Sequence, residues 1–343
     1  MTASCPRSMA RKARFTAKSL LPLAVGPAIS ANLGRSAAAF TLSSKKEFPV
    51  IIARLIADPE TLGDNLALAM EMIEARDWEV AGAGMLEFCS EVLELEVVEG
   101  NPVGIRQILD QCFPESDLLL SNGLIEVPHL FVSDMDSTMI GQECIDELAD
   151  FAGLKERIAA ITERAMQGEL DFESALRERV GLLKDLPEAA IAQCLDERIR
   201  PMPGARTLVS TLKARGCHTV LVTGGFHSFA DPVADLLGFD RVVGNRLGLH
   251  EGVLTGGLVG GIVDSSIKKK VLLEEAERLG EGSLSLATGD GANDIPMIEA
   301  ASFGIAYRAK PKARAAADGW IDRGDLTSIL SLLGIAREDW VFD

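Results

Sequence analysis

Paired cysteines, clustered histidines and long apolar runs are all missing from this 343-residue chain. Its six cysteines (Cys5, Cys89, Cys112, Cys144, Cys194, Cys217) are scattered without a Cys-x-x-Cys spacing, and only four histidines accompany them. That argues against a zinc site or a disulfide framework and leaves buried, reduced thiols of a cytoplasmic protein as the expectation. No run of about 18 uncharged apolar residues is present, so no membrane-spanning helix and no membrane partner are expected. Aromatics make up only 5% of a chain that is 47% apolar, which suits an α/β enzyme rich in Ala, Leu and Val. The length allows one to three domains, each able to bury a core.

Acidic side chains are absent from residues 1–46, which carry eight Lys or Arg. Without those eight, the rest of the chain sets 26 basic against 51 acidic side chains, a net of −25, beneath an overall charge of −17. So acidic a body is a poor partner for nucleic acid, because phosphate contacts need clustered Lys and Arg. It suits metal cations. The basic extension reads as a disordered segment. Its basic, apolar (Leu20 to Val25) and small-residue regions also allow a secretory or organelle-targeting signal.

Residues 47–127 read as a small α+β unit. Pro49–Ile56 is an apolar strand, and Thr61–Arg76 carries Leu62, Leu66, Met70 and Ile73 near helical spacing. Strands around 78–86 and 92–98, a helix over 102–112 and a strand over 117–120 complete a β-α-β-β-α-β order, that of ferredoxin-like domains. No convergent polar cluster is visible in it, so a packing or dimerising role outweighs amino-acid sensing, and a homodimer is the protein partner it allows.

The chain is organised around the stretch that follows. Pro128-His129-Leu130-Phe131-Val132 is short and apolar enough for a buried strand, and it runs into Ser133-Asp134-Met135-Asp136-Ser137-Thr138. Acids at the carboxyl end of such a strand lie where open α/β sheets hold their ligands. Alternation along an extended chain would send Asp134 and Asp136 the same way. Two close like charges need a cation or a shared proton. The pair suits a hard, oxygen-liganded ion such as Mg²⁺, with one carboxylate free to act as nucleophile. By itself an Asp-x-Asp is a common surface turn; three later segments complete a site. Cys217–Val222 is a second buried strand ending in Thr223-Gly224-Gly225-Phe226, read as a glycine turn before a helix or as an anion cradle of hydroxyl and backbone N–H groups. Lys268-Lys269-Lys270 opens a helix, where one lysine can reach a phosphate. Ser283–Thr288 ends in Gly289-Asp290-Gly291-Ala292-Asn293-Asp294, with aspartates at i, i+4 and glycines for a tight turn. Charged, helix-rich residues 141–199 read as a cap inserted after the first strand, able to close a site against water. A hairpin is expected over 245–262, a strand over 303–307 and a helix over 326–333. His227 reads as a polar helix-start residue.

With those segments in place the chain resembles the haloacid dehalogenase-like phosphatases, strongly over 128–310 and more loosely over 47–127. The resemblance implies a Rossmann-like parallel sheet with a helical cap over residues 128–343, preceded by a ferredoxin-like (ACT-like) domain. It implies Mg²⁺-dependent hydrolysis of a phosphate monoester through an aspartyl-phosphate. Asp134 would be the nucleophile and Asp136 the general acid and base. Asp134, the Asp136 main-chain oxygen and Asp290 would hold the metal, with Asp294 orienting a metal-bound water. Thr223, Gly224, Lys268 and Asn293 would bind the phosphoryl group. Thr223 stands where many members have Ser, which keeps the hydroxyl. Lys268 is chosen among the three lysines because it lies four residues before Leu272. Within the cap, Glu143, the stretch from Met166 to Phe172 and the stretch from Arg177 to Leu183 are similar to members that act on O-phospho-L-serine. That likeness implies Glu143 for the substrate ammonium, Arg179 for its carboxylate, and Met166 and Phe172 as pocket walls. On spacing alone, Arg179 could instead pair with Glu173 or Glu178 on the helix surface, and Glu143 could simply cap its helix. A same-fold phosphatase or phosphotransferase acting on another ester, or an amino-acid-sensing regulator, are the alternative readings.

Overall fold

The computed structural model describes residues 50–166 and 169–342. The N-terminal extension, read above as disordered or targeting, lies outside them. None of the described helices is long and apolar enough to cross a membrane.

The first six elements are β1 (Val50–Ile56), α1 (Leu62–Glu74), β2 (Glu79–Met85), β3 (Leu93–Val98), α2 (Pro102–Cys112) and β4 (Asp117–Ser121). Their four strands lie in the order β2-β3-β1-β4, all antiparallel. Alternation decides the faces: Leu93, Leu95 and Val97 of β3 are buried while Glu94 and Glu96 turn the other way. Helix α2 begins where sequence chemistry starts helices, with Pro102 in its first turn and Asn101 Oδ1 accepting the Gly104 N–H at 2.7 Å.

The core sheet begins with β5 (Leu130–Ser133). Four helices follow, α3 (Cys144–Phe151), α4 (Lys155–Met166), α5 (Phe172–Leu182) and α6 (Glu188–Arg198), in the place expected for the cap. Then come α7 (Ala205–Ala214), β6 (His218–Phe226), α8 (His227–Leu237), β7 (Arg241–His250), β8 (Val253–Val259), α9 (Ser265–Leu279), β9 (Ser285–Gly289), α10 (Ile295–Ile298), β10 (Phe303–Tyr307), α11 (Pro311–Ala316), β11 (Gly319–Ile321) and α12 (Ser328–Leu332). Strands β11-β10-β9-β5-β6-β7 are parallel, and β8 returns antiparallel to β7 as the expected hairpin. Every residue of β5, β9 and β10 is buried, as continuous apolar strands covered on both faces must be.

The two halves share one 11-stranded sheet, because β4 pairs antiparallel with β11. Asp117 closes that seam: buried, it accepts the backbone N–H groups of Asp322, Arg323 and Gly324. The described residues accordingly form one compact unit. Two local expectations change. Thr223 to Phe226 is not a separate turn, since β6 runs through it with a register shift against β7 between Val222 and Phe226. The helix expected over 326–333 shortens to α12.

Candidate active site

Strand β5 stops at Ser133, so Asp134 and Asp136 leave it in a tight turn and not as alternating strand residues. The turn is built from backbone bonds of Thr138, Met139 and Ile140 N–H groups to Met135 O. Asp134 is anchored by its N–H to Thr288 O of β9 at 3.0 Å. Its side chain, 6% exposed, meets the Lys268 ammonium through Oδ1 at 2.6 Å. The same ammonium lies 2.7 Å from Asp294 Oδ1. Of the three adjacent lysines only Lys268 is buried, while Lys270 pairs with Glu274 on the helix surface. Burial alone would lower the Lys268 pKa, but the Asp134 and Asp294 carboxylates outweigh it and hold the pKa above its ordinary value.

Asp294 is fully buried and receives the Gly291 N–H on Oδ2 at 3.0 Å. Gly289 permits this: a Cβ there would stand 2.5 Å from Asp294 Cγ. Asp134, Asp290 and Asp294 each offer an oxygen, and the three lie within 4.8 Å of one another. Burial, and then repulsion from Asp294, raises the Asp290 carboxyl to about 6. Asp134 moves upward for the same two reasons, against the pull of Lys268. A hard-oxygen cluster short of positive charge is the donor set that fits a small divalent cation.

Asp136 is recessed beside the start of α3, where Oδ1 accepts the Cys144 N–H at 3.1 Å. Burial, then the nearby Glu143 charge, raises its carboxyl to about 7. Gly225 lies against it, leaving no room for a Cβ, which would stand 2.9 Å from Asp136 Oδ2. Glu143 is the residue before α3; Ser137, in the left-handed region at φ 55°, donates its hydroxyl to Glu143 Oε1 at 2.8 Å.

Asp134, Asp136, Glu143, Phe172, Arg179, Thr223, Gly224, Asp290 and Asn293 all line one cavity of about 300 Å³. Lys268 and Asp294 stand behind Asp134. Met166 was expected here too, but its side chain lies outside the described residues. Arg179 does not take the surface partners open to it on spacing alone. Glu173 pairs with Arg177 and Glu178 with Arg164. Among the described residues no carboxylate comes within 4.0 Å of Arg179, whose Nε reaches only Ala175 O at 3.4 Å. Its pKa is lowered, chiefly by burial. Thr223 Oγ1 accepts the Gly225 N–H at 2.8 Å, so its own proton remains available to an anion. His227 opens α8 and pairs through Nδ1 with Asp231 at 2.7 Å, as a polar helix-start residue.

Two residues beside the site went unnoticed in the sequence. Lys310 lines the cavity with its ammonium 3.8 Å from Asp290 Oδ2, and its N–H donates to Asp290 O at 2.9 Å. Its only sequence signal was a Lys-Pro opening of a short helix after β10. Asn245, buried on β7, bonds to Gly224 and Val263; a lone Asn between glycine-rich strand residues gave no signal.

A capped parallel sheet with an Asp-x-Asp turn, a buried lysine and a carboxylate cluster at its edge defines a haloacid dehalogenase-like hydrolase, and the family of that description matches residues 131–299. The phosphoserine phosphatase of Albidiferax ferrireducens is 44% identical over 209 residues, which span 59% of this chain and 88% of that protein. That of a Polaromonas species is 44% identical over 210 residues, covering 60% of this chain and 89% of the relative. The unliganded crystal structure of a probable phosphoserine phosphatase from Vibrio cholerae superimposes with a TM-score of 0.64 at 33% identity, over 85% of this chain and 88% of the other. The chain belongs to the phosphoserine phosphatase family.

Proposed function

We propose that this protein hydrolyses O-phospho-L-serine to L-serine and inorganic phosphate, the closing step of L-serine biosynthesis, with Asp134 carrying the phosphoryl group as an aspartyl-phosphate. The observation that carries this reading is the layout of one cavity: acids and phosphate donors at its floor, and on its cap side Glu143 and the Arg179 guanidinium, which has no carboxylate within 4.0 Å among the described residues.

Asp134 attacks phosphorus, and the Lys268 ammonium at 2.6 Å holds its carboxylate in place. The bond to the serine oxygen breaks, and Asp136 gives that oxygen its proton. A carboxyl raised to about 7 still carries a proton to donate near neutral pH. The resulting carboxylate then takes a proton from the water that attacks the aspartyl-phosphate, which restores Asp134 and releases phosphate. Thr223 Oγ, the Gly224 and Asn293 groups and Lys268 neutralise the equatorial oxygens, so most of the rate enhancement is positioning and charge stabilisation. Asp134, Asp290 and the Asp136 main-chain oxygen would hold Mg²⁺, with Asp294 behind them tied to Lys268 and Gly291. When bound, the ion offsets negative charge on phosphoryl oxygens and carboxylates. Arg179 grips the substrate carboxylate with its planar fork and Glu143 takes the ammonium. Phe172, beside Gly224, walls the pocket from the cap.

The test is phosphate release from L-phosphoserine, L-phosphothreonine and an aryl phosphate, each with and without Mg²⁺. A strong Mg²⁺-dependent preference for phosphoserine is expected. Turnover of the aryl ester alone would keep Asp134, Asp136 and Asp290 in their roles but remove Arg179 and Glu143 from theirs.

A further inference from the structure

Asn245 lies on β7, beyond every motif that marked the active site, yet it joins two of them. Its side chain is 1% exposed and both ends are used. Nδ2 donates to Gly224 O at 2.7 Å, and Oδ1 accepts the Val263 N–H at 2.8 Å. Gly224 belongs to the anion cradle at the end of β6. Val263 immediately precedes Asp264, the cap of α9, whose first turns carry Lys268. One amide therefore spans the two elements that must approach a phosphoryl group together from different sides.

The geometry points to Asn245 as a positioning residue for the phosphate end of the site. Holding the Gly224 carbonyl fixes the plane of the Gly224–Gly225 peptide. The Gly225 N–H of that peptide then meets Thr223 Oγ1 at 2.8 Å, which turns the hydroxyl proton outward. The packing leaves the strand little freedom to compensate, since a Cβ on neighbouring Gly244 would stand 3.3 Å from Thr223 Cγ2. A buried amide that loses a partner leaves Gly224 O and Val263 N without a bond, and each lost bond frees one loop. Asn245 reaches none of the groups assigned to the amino-acid end of the substrate, Arg179 and Glu143. Its effect should divide the ligand in two.

This inference rests on the phosphatase reading, and the experiment separates the two. Inhibition constants of inorganic phosphate and of L-serine are measured for wild type, Asn245→Leu and Asn245→Asp, beside kcat, KM and the melting temperature. Leu keeps the volume and removes both bonds; Asp keeps the acceptor for Val263 N–H, removes the donor to Gly224 and adds a negative charge, so its loss of phosphate supports the positioning role only alongside the uncharged variant. Both variants should weaken phosphate by about tenfold or more, the cost of one to two buried hydrogen bonds, while L-serine stays within about twofold. Equal weakening of both ligands, or no change in either, would overturn the positioning role. If Asn245→Leu does not fold, the same comparison on the uncharged Asn245→Ala decides. Wild-type protein that turns over no phosphoserine would instead overturn the phosphatase reading, whatever the variants do.

Discussion

A lysine with carboxylates on two sides sets the character of the site. Lys268 answers one negative charge, while Asp134, Asp290 and Asp294 crowd within 4.8 Å and Asp136 stands close by. Arg179 stands at the opposite extreme, half-buried and without a carboxylate partner among the described residues. Asp146 and Glu143 offset part of the cost of sheltering that charge, and a ligand carboxylate in direct contact offsets more of it only if the ligand has one. Arg179→Ala should therefore raise KM for L-phosphoserine by roughly ten- to a hundredfold, the range for a hydrogen bond to a charged group, and change an aryl phosphate by less than about threefold. Steady-state kinetics on the two substrates measure it, and equal losses on both would remove the carboxylate role. At this scale Asp134, Asp136, Thr223, Gly224 and Asp290 were legible because each stands at or just beyond the end of an apolar strand. Asn245 and Lys310 were not, because their importance comes from neighbours brought beside them by strand pairing, 21 and 20 residues from Gly224 and Asp290.

Helix α9 shows how an element delivers a side chain. Asp264 caps it, its Oδ1 accepting the N–H groups of Ser266 and Ile267 at 2.9 and 3.0 Å. That cap settles the first turns, and Lys268 follows on the face turned to Asp134. Asp264→Ala should cost about 1 kcal/mol of stability and lower kcat, whereas Asp264→Asn, still a good cap, should keep most of both. Thermal unfolding and turnover of the two variants check it; an Ala variant as stable and as active as wild type would contradict the capping account. The sequence showed this helix through its leucines, and showed β9 and β10 as short runs of small and apolar residues. It gave α8 only through its start at His227, and it left unread α7, whose Ala205, Leu208, Val209 and Leu212 share a buried face, and the short α11. It also hid the path of β6 through Thr223 to Phe226, because two glycines read as a turn whether or not a neighbouring strand holds them extended.

At the scale of the whole molecule, the seam between β4 and β11 was illegible because its partners are about 200 residues apart, while the acidic surplus was plain from composition. A few of those acids crowd the site, and they make a prediction about folding. Burial raises Asp136 to about 7 and Asp290 to about 6, and Asp134 also moves upward. In the unfolded chain all three ionise near the ordinary carboxylate value of about 3.9. Between there and about pH 7 the folded protein binds more protons than the unfolded one, so metal-free stability falls as pH rises through this window. Above it the carboxylates are ionised and their repulsion is fully expressed. A divalent cation binds the ionised carboxylates, competes with protons, and stabilises the folded state by mass action. The rise in melting temperature caused by Mg²⁺ should therefore be larger at about pH 8 than at about pH 5.5, and Asp290→Asn should shrink it at the higher pH. Thermal unfolding at the two pH values, with and without Mg²⁺, decides. A rise as large at the acidic pH would mean that the ion acts away from these carboxylates.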